Sequence, residues 1–447
     1  MAVVAGLVLL VLAGWFVIPD ENLRDEAAQI LHNTTATLPE PNAYYALWGL
    51  KAEPSRDAHE TGKRIVQAIA QARGQHRTLN DVDLQKFLGT PLLLGSTEHR
   101  FCENGSSECL SQIRAAREKI EAGERRLKPY IQRYRALRAY TYSDALASPG
   151  LDDPQLSLAE PVALSDLVDA RIALDMAVDS KRKYALEELA AELKLWRHIV
   201  LNTHGLIQKM VATAVLHRKF RLASELLAEL PEIAVTYPQL LTDITRPLTA
   251  SESAIGRSLT GEFRMVSSMF MDLAREREFD GVPDGLGRAL NKAWMVGVFK
   301  PNATINAQYV FNRTQRDFYG QPASVVFEQE PEFLVRQNDF SPFSPTTLFY
   351  NPVGKVLVHV AYPDYGQYVY ALHDLAAYTR LLELQRRIAV ARMTAAAIPA
   401  FVRTADAALR DPYTDKPMHW DAKARTLSLQ GHGKRHHDKL AVRVATH

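Results

Sequence analysis

The sequence of 447 residues has only two cysteines and no marked excess of charge of either sign. Two cysteines are too few for a disulfide-rich scaffold or for a four-cysteine zinc site. The 53 lysines and arginines against 51 aspartates and glutamates leave a formal net charge of +2, whereas nucleic-acid-binding domains are usually clearly basic. The composition therefore predicts an ordinary globular protein that does not bind nucleic acid.

The sequence also lacks the common motifs of catalysis and cofactor binding. It has no HExxH zinc motif, no P-loop, no GxSxG nucleophile turn and no GxGxxG motif after a predicted strand. His198, His204 and His217 are not spaced to place two metal ligands on adjacent helical turns. We therefore predict no cofactor and no metal, including at the histidine-rich tail over 431–437.

The N-terminus, in contrast, has a long uncharged run. Residues 2–18 read AVVAGLVLLVLAGWFVI, and Pro19 follows. As a helix this run would be about 25 Å long, close to the lower limit for crossing a bilayer. We predict an uncleaved membrane anchor. A cleaved signal peptide, which would need a basic segment that is missing here, and a buried core helix are the alternatives.

The two cysteines favour export. Cys102 and Cys109 enclose the turn-forming stretch ENGSSE. Such a short loop can close as a disulfide if the two Cα atoms lie within about 7 Å, and an oxidising compartment would maintain the bond. We predict a structural disulfide. Free thiols are the main alternative, and metal or redox chemistry is the least favoured.

A basic stretch follows the cysteines. Nine lysines and arginines lie between residues 110 and 140, against three glutamates. If this stretch is a helix near a bilayer, residues 114–138 could contact anionic lipid headgroups. The favoured alternative is a solvated helix face with ion pairs four residues apart, such as Arg117 with Glu121.

The apolar pattern along the rest of the chain predicts a mainly α-helical protein. Helical periodicity recurs over 57–73, 110–140, 164–230, 251–278 and 371–408. The segment 281–370 is rich in proline, asparagine and aromatic residues, and it predicts an irregular wrap around the helices with one strand at 356–362. We expect a transmembrane helix, antiparallel helical hairpins, this wrap and a small C-terminal β-hairpin. The predicted domains are 1–19, 20–150, 151–382 and 383–447.

Two residues are candidates for catalysis. Glu262 lies near Arg264 on an otherwise apolar predicted helix, where it could form a buried ion pair or act as a general acid. His373 lies near the start of the last predicted helix. If the protein is an enzyme, we expect an envelope hydrolase whose site lies between the helical domain and the wrap at 281–370.

The stretch DPYTDKPMHW over 411–420 carries a resemblance. It resembles the DP-(F/Y)-(T/S)-G-K-P-(L/M)-x-(Y/W) element of uncharacterised bacterial envelope proteins, and it is similar to the DPWGNPYxY element of the major pseudopilins of type II secretion systems. The resemblance implies a tight structural turn and a small hairpin, in which 418–420 pair with 426–429. The turn residues would be Asp411, Pro412, Pro417 and Trp420.

The chain departs from this element in two ways. The glycine of the turn is Asp415 here, which must then adopt a left-handed conformation. The acidic, calcium-binding tail of pseudopilins is replaced by basic residues and histidines, so calcium is not implied.

The wider chain resembles the same uncharacterised proteobacterial family through NAYYALWGL at 42–50 and FKPNATIN at 299–306. Together these features predict a protein of the bacterial inner membrane with a single span and most of the chain in the periplasm. We expect it to act by interaction, as an assembly or accessory factor bound to another envelope protein.

Overall fold

The computed structural model of this protein is mainly helical, with a small antiparallel sheet near the C-terminus. It describes residues 15–32, 38–75, 79–89, 101, 109–144, 153–276, 294–338, 349–360, 364–433 and 439–446. The predicted α class is confirmed. Within these ranges no helix has the length and apolar character needed to cross a membrane. Residues 1–14 of the predicted anchor lie outside them.

The N-terminal half contains the first nine helices described. They are α1 (Asp25–His32), α2 (Ala43–Trp48), α3 (Ala58–Gly74), α4 (Asp81–Leu88), α5 (Cys109–Ala115), α6 (Arg117–Ala136), α7 (Ala159–Met176), α8 (Arg182–Asn202) and α9 (Leu206–Glu229). The next helices are α10 (Ile233–Thr236), α11 (Pro238–Thr245), α12 (Ala250–Ser253), α13 (Gly256–Glu276), α14 (Pro301–Tyr319), α15 (Ala323–Asn338), α16 (Pro352–Val360), α17 (Gly366–Val390) and α18 (Ile398–Arg403).

The centre of the fold is formed by α6, α7, α8, α9 and α17, which pack side by side. In α8 the apolar side chains recur every three or four residues, and this spacing places them on one face of a helix. They are all buried, at positions Leu186, Leu189, Leu193, Trp196 and Val200. One continuous apolar core extends from Leu38 to Val444. The predicted domain boundary between 382 and 383 falls inside α17.

The predicted irregular wrap is wrong in the part of 281–370 that the structure describes, because α14, α15 and α16 lie there. Pro301 is in the first turn of α14, where a missing N–H costs nothing. One buried polar residue of α14 bonds to the neighbouring helix, since the Asn312 amide donates to the Leu259 carbonyl at 2.7 Å. The predicted strand at 356–362 is also wrong, since residues up to Val360 belong to α16. A short apolar run does not distinguish a strand from a helix.

The C-terminal sheet has the strand order β1 (His419–Asp421), β2 (Thr426–Gln430) and β3 (Lys439–Arg443). Trp420 pairs with Leu427, so the predicted hairpin is present as β1 and β2. The third strand was not predicted. Alternate residues of β2 and β3 form an apolar face that packs on α17 and α9.

Candidate functional site

The segment that follows the predicted anchor is hydrogen-bonded to the start of α14. The Asp20 carboxylate accepts hydrogen bonds from the backbone N–H groups of Asn302 at 2.9 Å and Ala303 at 3.0 Å. A carboxylate in this position caps the free N–H groups of a helix and also interacts favourably with the helix dipole. Asp20 therefore attaches the N-terminal segment to a helix that begins far away in the sequence.

A second residue of α14, Asn306, extends this attachment. Its amide donates to the Asn22 carbonyl at 2.9 Å and to the Glu21 carboxylate at 3.0 Å, and its side-chain oxygen accepts from the Arg24 backbone N–H at 2.9 Å. The chain that follows Pro19 is thus held through the side chains of Asp20, Glu21 and Asn306 and through the backbone beside them. We call residues 15–24 the junction segment.

Aromatic contacts hold the other end of the junction segment. The rings of Trp15 and Trp294 meet edge to face, with centroids 5.1 Å apart, and the Phe16 ring lies 6.3 Å from that of Trp294. The Tyr350 hydroxyl donates to the Pro19 carbonyl at 3.3 Å. The junction segment therefore contacts three separate parts of the folded body. A flexible tether would make none of these contacts.

The outer face of α15 is apolar and exposed. Phe327, Pro331, Leu334 and Val335 are spaced as on one helical face. Val335 is 64% exposed, whereas Phe327 is 40% exposed and its ring also contacts those of Tyr413 and His432. The opposite face is packed, since the Phe333 ring stacks on that of Phe318 at 3.8 Å. The helix is therefore anchored on one side and available to a partner on the other.

A buried ionic cluster in the centre of the fold was not predicted from the sequence. The Glu192 carboxylate accepts hydrogen bonds from the Tyr134 hydroxyl at 2.6 Å, from Lys219 Nζ at 2.8 Å and from Arg138 at 2.7 Å. Lys219 also donates to Asp169 at 2.6 Å. The side chains of Glu192 and Lys219 are completely buried. The cluster connects α7, α8 and α9 with the end of α6.

Electrostatics explain why Glu192 stays ionised there. Burial would raise its pKa, but Lys219 and Arg138 outweigh burial and hold the pKa of this carboxyl well below its ordinary value. Burial raises the pKa of Asp169, its neighbour across Lys219. A single glutamate inside an apolar stripe was the only sequence signal. Because Glu192 and Lys219 are enclosed, we assign the cluster to packing between helices.

The structure does not bring the predicted catalytic residues together. Arg264 Nε donates to the Ile30 carbonyl at 3.0 Å. Among the described residues no ion pair joins Arg264 to Glu262, and the predicted pair is therefore not formed. Burial raises the pKa of Glu262, and the Leu206 backbone N–H partly offsets this effect. The charge of Glu262 contributes to the raised pKa of Tyr365, whereas His373 lies about 12 Å farther along the chain of α17. The two side chains therefore do not form one site.

His373 is a half-buried residue whose imidazole nitrogen Nε2 is enclosed. Its Nε2 has no hydrogen-bond partner in the part of the chain that the structure describes. Burial, together with the nearby positive charge of Arg380, lowers its pKa to about 4. A buried base with a lowered pKa makes folding stability depend on pH.

We expect the fold to lose stability between pH 7 and pH 5 because of His373. The unfolded chain, with an ordinary histidine pKa near 6.5, binds more protons than the folded chain in this window, so stability falls as pH falls. Between pH 7 and pH 5, the unfolding free energy of the His373→Phe variant should fall by about 2 kcal/mol less than that of the parent chain. Urea unfolding of both chains at the two pH values measures it. All other histidines are the same in both chains. If the stability of the two chains depended on pH in the same way, the loss would not come from His373.

An aspartate–histidine pair lies at the start of α9. Asp144 accepts hydrogen bonds from His204 Nδ1 at 2.7 Å and from the Thr203 hydroxyl at 2.7 Å. The carboxylate therefore fixes the orientation of the imidazole. In the described ranges no hydroxyl or thiol is hydrogen-bonded to Nε2 of His204. The pair connects the chain after α6 to the start of α9.

The turn at 411–420 is held by hydrogen bonds to Asp411 and by a left-handed Asp415. Asp411 accepts hydrogen bonds from the Tyr413 backbone N–H at 2.9 Å and from the Thr414 hydroxyl at 2.8 Å. Asp415 has a φ of 56°, the left-handed conformation that the missing glycine requires. Pro412 and Pro417 flank this turn, while Trp420 is half-buried against the core and His419 is exposed.

Tyr413 attaches the turn to α17. Its hydroxyl donates to the Asp374 carboxylate at 2.6 Å. The same carboxylate accepts hydrogen bonds from the backbone N–H groups of His432 and Gly433, at 3.1 and 2.8 Å. One buried aspartate thus holds both the turn and the chain that follows β2. Sequence reasoning did not identify Tyr413 or Asp374.

The basic stretch 114–138 is largely used within the fold. Arg138 and Arg135 pair with Glu188 at 2.9 Å, and the Arg133 guanidinium donates to backbone carbonyls between α2 and α3. Arg117 lies 3.9 Å from Glu121, as the favoured alternative predicted. A contact of this stretch with anionic lipid stays a prediction.

The remaining expectations fall partly outside the described residues. Cys109 begins α5, and Cys102 lies outside them, so the disulfide stays a prediction. Within the ranges described, no group of three or more His, Cys, Asp or Glu side chains could hold a metal ion. Residues 434–438 of the histidine-rich tail lie outside these ranges.

Comparison with known proteins gives no assignment. No protein-family model, no characterised protein and no solved structure matches this chain.

Proposed function

We propose that this protein is a membrane-anchored accessory factor of the bacterial envelope whose folded body binds another envelope protein. Residues 2–18 would form a single span in the inner membrane, with most of the chain in the periplasm. The junction segment carries the proposal. Its bonds through Asp20 and Asn306 and its Trp15–Trp294 contact attach the last residues of the apolar run to the folded body.

This attachment has a functional consequence. A body bonded to the end of its anchor is held at a fixed height and orientation above the bilayer, whereas a body on a flexible linker samples many. A fixed orientation presents the same surface to neighbouring membrane proteins at all times. This arrangement suits a protein that assembles with a partner in the same membrane.

The outer face of α15 supports the interaction role. Exposed apolar residues at helical spacing are typical of helix-to-helix recognition. Two exposed carboxylates lie beside this face: Glu328, and Glu332, which pairs with Arg336 at 2.9 Å. We infer a partner that presents an apolar helix face.

The matched variants Val335→Glu and Val310→Glu test this function. Both residues are exposed valines on helices, at 64% and 44% exposure, but Val310 lies on α14 and outside the proposed face. Full-length chains are solubilised from native membranes in mild detergent, and the proteins retained with them are identified. We expect Val335→Glu to lose a specific partner about tenfold or more, which corresponds to ~1.4 kcal/mol of binding free energy. Val310→Glu should retain it.

The melting temperature is the control for folding. Both variants should show the melting temperature of the parent chain, since each replaces an exposed side chain. Equal retention of every associated protein by the two variants would contradict binding through α15.

An envelope hydrolase is the second candidate. Its support is the pair Asp144–His204, because an imidazole oriented by a carboxylate is a common general base. Replacing His204 by glutamine would abolish such an activity and would leave partner retention unchanged.

A further inference from the structure

We propose that the folded body inserts a patch of exposed apolar side chains into the interfacial layer of the bilayer, beside its anchor. We call this surface the membrane-proximal patch, and it consists of Phe16, Val17, Ile18, Trp294, Val296 and Phe349. The inference rests on the proposed anchor, and it adds a second membrane contact made by the folded body itself.

The patch exposes large apolar side chains to solvent. Val17 is 77% exposed, Phe16 is 52% exposed and Trp294 is 45% exposed. Large apolar side chains that share one surface at this level of exposure mark a site of contact with a partner or a membrane. The Phe16 ring lies 6.3 Å from that of Trp294, and Val296 follows Trp294 by two residues. Phe349 precedes Tyr350, whose hydroxyl donates to the Pro19 carbonyl.

Position identifies lipid as the occupant. Three of the six residues, at 16–18, are the last residues of the apolar run, so the predicted span ends within the patch. The other three come from two distant parts of the chain that the fold places beside this end. A bilayer that holds residues 2–18 therefore lies next to Trp294, whose ring contacts those of Trp15 and Phe16. Tryptophan and other aromatic rings favour the headgroup level of a bilayer.

The charges near the patch agree with this assignment. Asp20 and Glu21 follow the apolar run directly, and free carboxylates there would be repelled by lipid phosphates. Both are bonded to α14 instead, Asp20 to backbone N–H groups and Glu21 to the Asn306 amide. The Lys300 ammonium also points inward, because it donates to the Val296 carbonyl at 3.0 Å. The apolar side chains are thus the features that the patch presents.

Val296→Cys and Val310→Cys form a matched pair for the test. The two valines are equally exposed, at 43% and 44%, but Val310 is about 13 Å along α14 from its start at the junction. Each full-length variant is labelled with an environment-sensitive fluorophore and inserted into nanodiscs of phosphatidylethanolamine and phosphatidylglycerol. The parent chain, labelled in parallel, gives the background from the native cysteines. Phe349→Cys provides a second site on the patch.

We expect the probe at position 296 to shift to the blue and to be quenched about threefold or more by lipids that carry a shallow nitroxide, since interfacial side chains lie ~5–10 Å into the bilayer. The probe at 349 should show the same blue shift and quenching. The probe at 310 should show the emission of a fluorophore in water. Equal, water-like signals at 296 and 310 would overturn the proposal. A blue shift at 296 without quenching by nitroxide lipid would also overturn it, because protein and not lipid would then cover the patch.

The same samples separate this inference from the proposed anchor. If the chain leaves nanodiscs or membranes on washing with carbonate, the anchor itself fails. If the chain is retained while position 296 stays in water, only the patch is refuted.

Discussion

Glu192→Gln is expected to destabilise the folded protein by about 3–5 kcal/mol, the usual cost of removing one charge from a buried ionic group. Glutamine keeps the shape of the side chain but removes the negative charge that faces Lys219 and Arg138. The Lys219 side chain is completely buried, so it cannot turn to water. Its remaining counter-ion, Asp169, would have to compensate alone.

The control for this variant lies on the same helix. The Glu187 side chain is 49% exposed, and it lies 3.9 Å from Lys183. An exposed ion pair contributes little, so Glu187→Gln should change the unfolding free energy by less than about 1 kcal/mol. Urea unfolding followed by circular dichroism measures both variants. A Glu192→Gln chain as stable as the control would show that the cluster does not stabilise the packing of α7, α8 and α9.

Tyr413→Ala is expected to cost about 3–5 kcal/mol, the range for removing a large buried side chain. Tyr413 is only 4% exposed, and its ring lies 4.5 Å from that of His432 and 5.8 Å from that of Phe327. The substitution leaves a cavity beneath the turn. It also removes the only hydroxyl donor to Asp374 that the described residues show.

Tyr413→Phe separates the hydrogen bond from the packing. It should cost about 1.5–3 kcal/mol, since the bond that is lost has a charged acceptor. His419→Ala provides the control, because His419 is in the same module and exposed. Thermal melts of the three variants should show the largest loss for Tyr413→Ala, a smaller loss for Tyr413→Phe and the smallest for His419→Ala. A chain that tolerates Tyr413→Ala as well as His419→Ala would show that the turn is not docked on α17.

Local periodicity explains which parts of the fold were predictable. The regular spacing from Leu186 to Val200 predicts a helix with one buried face, and α8 is that helix. The sequence at 411–420 predicts the hairpin, because its prolines and the left-handed Asp415 determine the backbone of the turn locally, without contacts to distant residues. The sequence of β3 also alternates, and this signal was available at Lys439–Arg443.

Contacts between distant residues explain the rest. The composition of 301–319 is typical of a loop, yet α14 forms there. Its first turn is capped by Asp20, which no local pattern could reveal. Glu192 and Lys219 each look like isolated polar residues until the fold places them 2.8 Å apart. The α15 face escaped prediction because its segment was interpreted as an irregular wrap.

The intact mass of the protein in carbonate-washed membranes decides whether the anchor exists. A chain held by residues 2–18 must stay with the washed membranes and retain these residues, because a transmembrane helix resists carbonate and an uncleaved anchor keeps its full mass. We predict that the membrane fraction contains the full-length chain, beginning at or next to Met1. Recovery of the protein in the soluble fraction, shortened by the mass of the apolar run, would contradict the anchor and with it the proposed function.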